Sequence, residues 1–145
     1  MKYSLANYIL SIDSNDSEIK RIFGTISIGG EGSYLDSLSL SNNSNIFETQ
    51  GYATGGYVHT KNLDRHGTAT ITLNQLSDKV GRFIQLAKLS LSGDYDGFTL
   101  SLTDSNGNKI ATCIDCYIQK IPDQSFGSSA QTQTWVFTCG QINYN

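Results

Sequence analysis

Gly67-Thr68-Ala69-Thr70-Ile71-Thr72-Leu73 runs through Asn74-Gln75-Leu76-Ser77 into Asp78-Lys79-Val80-Gly81-Arg82-Phe83-Ile84-Gln85-Leu86-Ala87. The first seven residues alternate without a break. Ala69, Ile71 and Leu73 fall on one side, and Thr68, Thr70 and Thr72 on the other, as a strand with one wet face requires. The period then changes. Ser77 is a good N-cap and Asp78 suits a first helical turn. Val80, Phe83, Ile84, Ala87 and Leu91 recur at helical spacing, with Lys79, Arg82 and Lys88 pointing away. Gly81 costs such a helix about 1 kcal/mol relative to Ala, so its stability depends on packing.

The flanks of this unit read as strands. Ile22, Ile26 and Ile28 share a face in a strand starting near Glu18, closed by Gly29-Gly30-Glu31-Gly32-Ser33. Tyr34 to Leu40 is a second strand, with Leu38 and Leu40 on the side of Tyr34 and Asp36. Ile46 to Gln50 is a short third. Gly97 to Asp104 turns Phe98, Leu100 and Leu102 inward and Thr99, Ser101 and Thr103 outward. Asn106-Gly107 is a strong hairpin signal. The return strand, Lys109 to Ile121, is expected to bury Ile110, Ile114, Cys116 and Ile118. Thr132 to Gly140 closes the chain with Trp135, Phe137 and Cys139 on one face. The order β-rich, helix, β-rich predicts a mainly β (α+β) fold: an antiparallel sandwich or barrel with one flanking helix.

Composition narrows the function classes. The chain has 145 residues, which suits one domain over 1–145. Ser, Thr, Asn and Gln occupy 50 positions, while charged residues are 16% and the net charge is −3. No Lys/Arg stripe suggests a nucleic-acid reader. No apolar run spans a membrane. Met1-Lys2-Tyr3-Ser4-Leu5-Ala6-Asn7-Tyr8-Ile9-Leu10 makes a poor signal peptide. Three cysteines, an odd number, argue against a disulfide-stapled secreted domain and for folding in a reducing cytoplasm.

No constellation of catalytic residues emerges. Cys113-Ile114-Asp115-Cys116 is a C-x-x-C, but in a regular strand a separation of three sends the two thiols to opposite faces. A structural role is expected for them. Asp94-Tyr95-Asp96-Gly97 and Asp104-Ser105-Asn106-Gly107-Asn108 lack the full calcium-loop ligand set and read as turns. Gly29-Gly30-Glu31-Gly32 lacks the Gly-Lys-Ser/Thr of a phosphate loop. No catalytic, cofactor or metal residue is therefore assigned.

Two features remain. Residues 51–67 hold Gly51, Gly55, Gly56 and Gly67 with no period of two or 3.6, and read as an irregular loop. Long loops within compact domains are usually functional or mobile. The outward strand faces carry Thr and Ser in place of Lys and Glu. Edges lacking charge and proline stay open to pairing with another copy.

Four segments resemble small myophage tail tube proteins: Tyr3-Ser4-Leu5-Ala6-Asn7-Tyr8, Gly67 to Ser77, Ile121-Pro122-Asp123-Gln124-Ser125-Phe126-Gly127, and Trp135-Val136-Phe137-Thr138-Cys139-Gly140-Gln141-Ile142. Their order and spacing match over nearly the whole chain. Cys139 stands where a small Ala is more familiar. The resemblance implies a structural protein of a contractile phage tail or a phage-tail-like bacteriocin. Six copies would form a ring, and stacked rings a hollow tube that passes DNA without binding it. The implied partners are further copies of itself, the tail sheath protein, the tape measure protein, the baseplate and the tail terminator, with no membrane. The expected location is the virion tail after assembly in the host cytoplasm. On this reading 41–66 is an extended inter-ring loop, with Gly51, Tyr52, Gly55, Gly56, Tyr57, Lys61, Asp64 and Arg65 as contacts. Thr68, Thr70, Thr72, Thr99, Ser101, Thr103, Asp115 and Gln119 are lumen candidates. The alternative is a β-sandwich module binding carbohydrate or protein, with Tyr52, Tyr57 and Tyr95 as an aromatic platform.

Overall fold

A computed structural model describes residues 7–14, 26–29, 34–92 and 97–145. The strands are β1 (Tyr8–Asp13), β2 (Ile26–Ile28), β3 (Leu35–Asn42), β4 (Phe47–Gly51), β5 (Tyr57–Lys61), β6 (Gly67–Asn74), β7 (Phe98–Asp104), β8 (Lys109–Lys120) and β9 (Thr132–Tyr144). Among the described residues one helix, α1 (Val80–Ser92), lies between β6 and β7. Seven strands form a single antiparallel sheet in the order β2-β1-β7-β8-β9-β6-β3, and β4 with β5 forms a separate pair. Strands account for 56% of the described residues, and the large sheet curls into a half-barrel. The opening Tyr3 to Ala6, the Glu18 to Thr25 part of the expected first strand, Gly30 to Ser33, and Asp94 to Asp96 lie outside the described residues.

The alternation in β6 holds throughout: Gly67, Ala69, Ile71 and Leu73 are buried, and the residues between them are half-buried. α1 covers this inner face. Ser77 caps it, its Oγ accepting the Lys79 backbone N–H at 3.2 Å. Phe83 is fully buried, its ring 5.4 Å from that of Trp135 and 5.6 Å from that of Phe137, both on β9. Phe98 meets Phe137 edge-on at 5.7 Å. The helix, not a second sheet, thus closes the core. Leu86 is buried beside Val80, Phe83 and Ala87, whereas Leu91, expected inward, is 82% exposed. At the last turn the stripe has run past the sheet it packs on.

Three further differences have local causes. β1 was not expected, yet Leu10 and Ile12 are buried and Ser11 lies between them on the wet side. In β3 the ladder shifts between Leu35 and Ser37, which lets Leu35 join Leu38 and Leu40 against the core and leaves Tyr34 and Asp36 exposed.

In β8 the buried residues are Ala111, Cys113 and Cys116, with Ile118 packed beside them, while Ile114 is exposed. Asp115 has φ 58, left-handed backbone that Asp tolerates better than most residues. Between Phe98↔Cys116 and Leu100↔Cys113, two residues of β7 span three of β8. Such a bulge re-aims the side chains beyond it. Gly97 accommodates it, since a Cβ there would collide with the Asp115 carboxylate. The two thiols of the C-x-x-C therefore share one face, contrary to the regular-strand expectation.

Candidate functional site

The six lumen candidates on β6 and β7 fall on one surface. Thr68, Thr70 and Thr72 on β6, and Thr99, Ser101 and Thr103 on β7, point away from α1 on the same sheet. Asp115 and Gln119 on β8 are exposed. Strand pairing extends the surface with hydroxyl groups not singled out in the sequence. Ser37, Ser39 and Ser41 stand opposite Thr72, Thr70 and Thr68. Thr134 and Thr138 of β9 stand opposite Thr72 and Thr68. Ser11 stands between Ser27 and Ser101.

Several of these hydroxyls bond along the surface. Thr72 Oγ1 lies 3.4 Å from Thr134 Oγ1, and Thr103 Oγ1 and Thr138 Oγ1 donate at 3.4 Å to the carbonyls of Ile9 and Tyr117. Among the described outward residues of β1, β6, β7 and β9, Asp13 is the single charge. The surface is therefore wide and hydroxylated, with most of its charge on β8, in the exposed Lys109, Asp115 and Lys120. Phosphate oxygens bind where Lys and Arg gather, and on this face two lysines stand apart at the opposite ends of β8, Lys109 opposite Thr103 and Lys120 opposite Val136.

The second site is the hairpin. Where the sequence has no period, β4 and β5 pair from Phe47↔Lys61 to Gly51↔Tyr57. Gly55, at φ 93, turns the chain, and the Tyr52 N–H donates to the Gly56 carbonyl at 2.9 Å. Every residue of both strands is exposed, so no buried face imposes a period of two. Tyr57 is 68% and Ile46 67% exposed, and Phe47, Tyr52, Val58 and Leu63 are also bare. Of these apolar groups, the sequence pointed only to the two tyrosines.

The hairpin base is tied down by polar contacts. Asp64 accepts from Ser44 Oγ at 2.9 Å and from the His66 backbone N–H at 3.1 Å, and also pairs with the His66 ring. These bonds, the His66 ring foremost, hold its carboxyl down at about 2. The Arg65 carbonyl accepts the Ile142 N–H at 3.2 Å, fastening the base to β9. Lys61 and Arg65 line a cleft of about 280 Å³ beside Asn42, Ser44 and Tyr144. Its single aromatic residue makes no stacking platform. Tyr95, the third member of the supposed carbohydrate platform, lies outside the described residues.

A model of the Bacteriophage PhiTE tail tube protein family matches residues 14–145. The chain belongs to that family. No curated protein matches it by sequence. Among solved structures, it is similar over its full length to a chain from the anti-feeding prophage cap (AFP tube terminating cap), with 10% identity, 93% of that chain covered and a TM-score of 0.60. It also matches a chain of the PVC extracellular contractile injection system sheath/tube terminator in the extended state, at 12% identity, 97% of that chain covered and TM-score 0.58. A chain of the PVC sheath-tube complex in the extended state gives 13%, 92% and 0.59, again over this whole chain. At these identities the likeness is one of fold. Family membership supports a structural role in the phage tail tube.

Proposed function

We propose that this tail tube family member is the repeating subunit of the inner tube of a contractile phage tail or phage-tail-like particle. Six copies form a ring, rings stack into a tube, and the hydroxyl face lines a lumen that conducts DNA. The tube sits in the particle inside the sheath, around the tape measure protein, between baseplate and terminator. It has no catalytic task. The observation that carries this reading is the gathering of the β6, β7 and β8 polar faces on one side of one sheet. Repetition around a ring multiplies each side chain, so a face where hydroxyls dominate and Asp13 and Asp115 offset Lys109 and Lys120 makes a wall of weak net charge. The hairpin, bare and apolar, supplies the contact between rings. A second reading, a tube-capping ring, draws on the fold likeness to the two terminator chains.

Negative-stain microscopy of the concentrated protein, alone and with its baseplate, tests the proposal. Stacked tubes support it. Single rings that never stack support the cap. A monomer under both conditions overturns both. In particles that carry the chain, Thr70→Lys, Ser101→Lys and Gln119→Lys are each expected to assemble and to eject DNA poorly, most severely at low salt. Normal ejection by all three overturns the lumen assignment.

A further inference from the structure

Cys113, Cys116 and Cys139 are all buried free thiols, and the bulge at Asp115 brings them into mutual hydrogen-bonding contact on the core face. Cys116 on β8 and Cys139 on β9 are direct register partners. Residues directly opposite on an antiparallel pair have Cα atoms ~4.5–5.5 Å apart, within the ~4.4–6.8 Å that a disulfide bridges. Cys113 instead stands opposite Ile142. No group of three His, Cys, Asp or Glu among the described residues is arranged to hold a metal ion. The chemistry open to the trio is therefore sulfur–sulfur.

We propose that Cys116 and Cys139 form a cross-strand disulfide site, closed by a low-molecular-weight disulfide and open in a reducing setting. One protein thiolate attacks the small disulfide, releasing one small thiol and leaving a mixed disulfide. The second protein thiolate attacks the protein sulfur of that bond and releases the other small thiol. The two protons lost by the cysteines go to the two departing thiolates. Both cysteine sulfurs are oxidised and both sulfurs of the small molecule are reduced.

The native environment keeps the pair closed to casual oxidation. Hydrogen bonding with Cys113 first, and then burial, holds the Cys139 thiol up at about 12 and Cys116 above its ordinary value. Accepting those same bonds pulls Cys113 down. The location gives the bond a mechanical consequence. β8 and β9 are neighbours in the middle of the sheet, and both lose strict alternation near this level, at Asp115 and at Gly140-Gln141. A bridge there pins the two strands where the face-to-face pattern is interrupted. This proposal does not depend on ring formation.

The test is oxidised glutathione applied to the folded protein and, separately, during refolding. Quenching, unfolding and alkylation then count free thiols by intact mass, and peptide mapping locates any bond. In at least one arm, one intrachain bond between Cys116 and Cys139 is expected, with Cys113 alkylated. The bond forms in Cys113→Ser and is lost in Cys116→Ser and in Cys139→Ser. Oxidised protein should melt on the order of 10 °C higher than reduced protein, because the bridge closes a loop of intermediate length in the unfolded chain. Three alkylated cysteines in both arms, a bond through Cys113, a disulfide between chains, or a lower melting temperature on oxidation would each overturn the proposal.

Discussion

The β6 strand and the β4–β5 hairpin are neighbours in sequence and opposites in physics. β6 buries every second residue against α1 and β9, so its side chains find their partners within the chain. The hairpin buries none, yet carries Phe47, Val58 and Tyr57. An apolar group left in water contributes nothing to folding, and its burial against a neighbour is worth ~25 cal/mol per Å². The sheet thus explains why the chain folds. The hairpin has surface whose burial waits on another molecule.

Substitutions can pull this contrast apart. The largest effect belongs to Phe83→Ala. It removes a fully buried ring that touches Trp135 and Phe137 and is expected to cost about 3–5 kcal/mol in denaturant unfolding. A cost under ~1 kcal/mol would mean that the helix face collapses freely and is not the lid of the core. On the opposite face of α1, Gly81 is exposed and a Cβ there meets nothing within 4 Å. Gly81→Ala should therefore stabilise by about 1 kcal/mol, read as a rise in melting temperature.

In the hairpin the double variant Tyr57→Ser/Val58→Ser should change unfolding free energy by no more than ~0.5 kcal/mol. The same variant should lose ring stacking in the microscope. Large destabilisation with intact stacking would reverse the comparison. The smallest expected effect is at the hairpin base. The Asp64 pKa is depressed from 3.8 to about 2 in the folded protein, so its contribution is present above the ordinary carboxylate range and is lost as pH falls through that window. Hydrogen exchange at the His66 amide should therefore lose protection relative to core amides between pH 4 and pH 2, corrected for intrinsic rates. Asp64→Asn should abolish that pH-dependent step.

The same contrast explains what was legible in the sequence. Burial writes periods into a chain, so β6, β7, the Val80–Ala87 stripe and the Asn106-Gly107 hairpin could be read directly. β1 carries the same signal in Leu10 and Ile12, but over six residues with only two buried positions. β4 was legible as the short strand Ile46 to Gln50, whereas β5 has no buried face and so no period to detect. The thiol trio depends on left-handed backbone at Asp115, which residue identity alone does not specify. Thr68 to Thr72 and Thr99 to Thr103 were identified as polar faces from alternation, but their sharing of one surface required knowing that a single sheet holds both strands.

A reconstruction of the assembled particle by electron microscopy, reading the radial positions of Thr70, Ser101 and Phe83, tests the central claim most directly. The account predicts Thr70 and Ser101 on the inner wall, Phe83 at larger radius beneath α1, and the β4–β5 hairpin reaching the next ring. A hydroxyl face turned outward, with α1 toward the lumen, would contradict it.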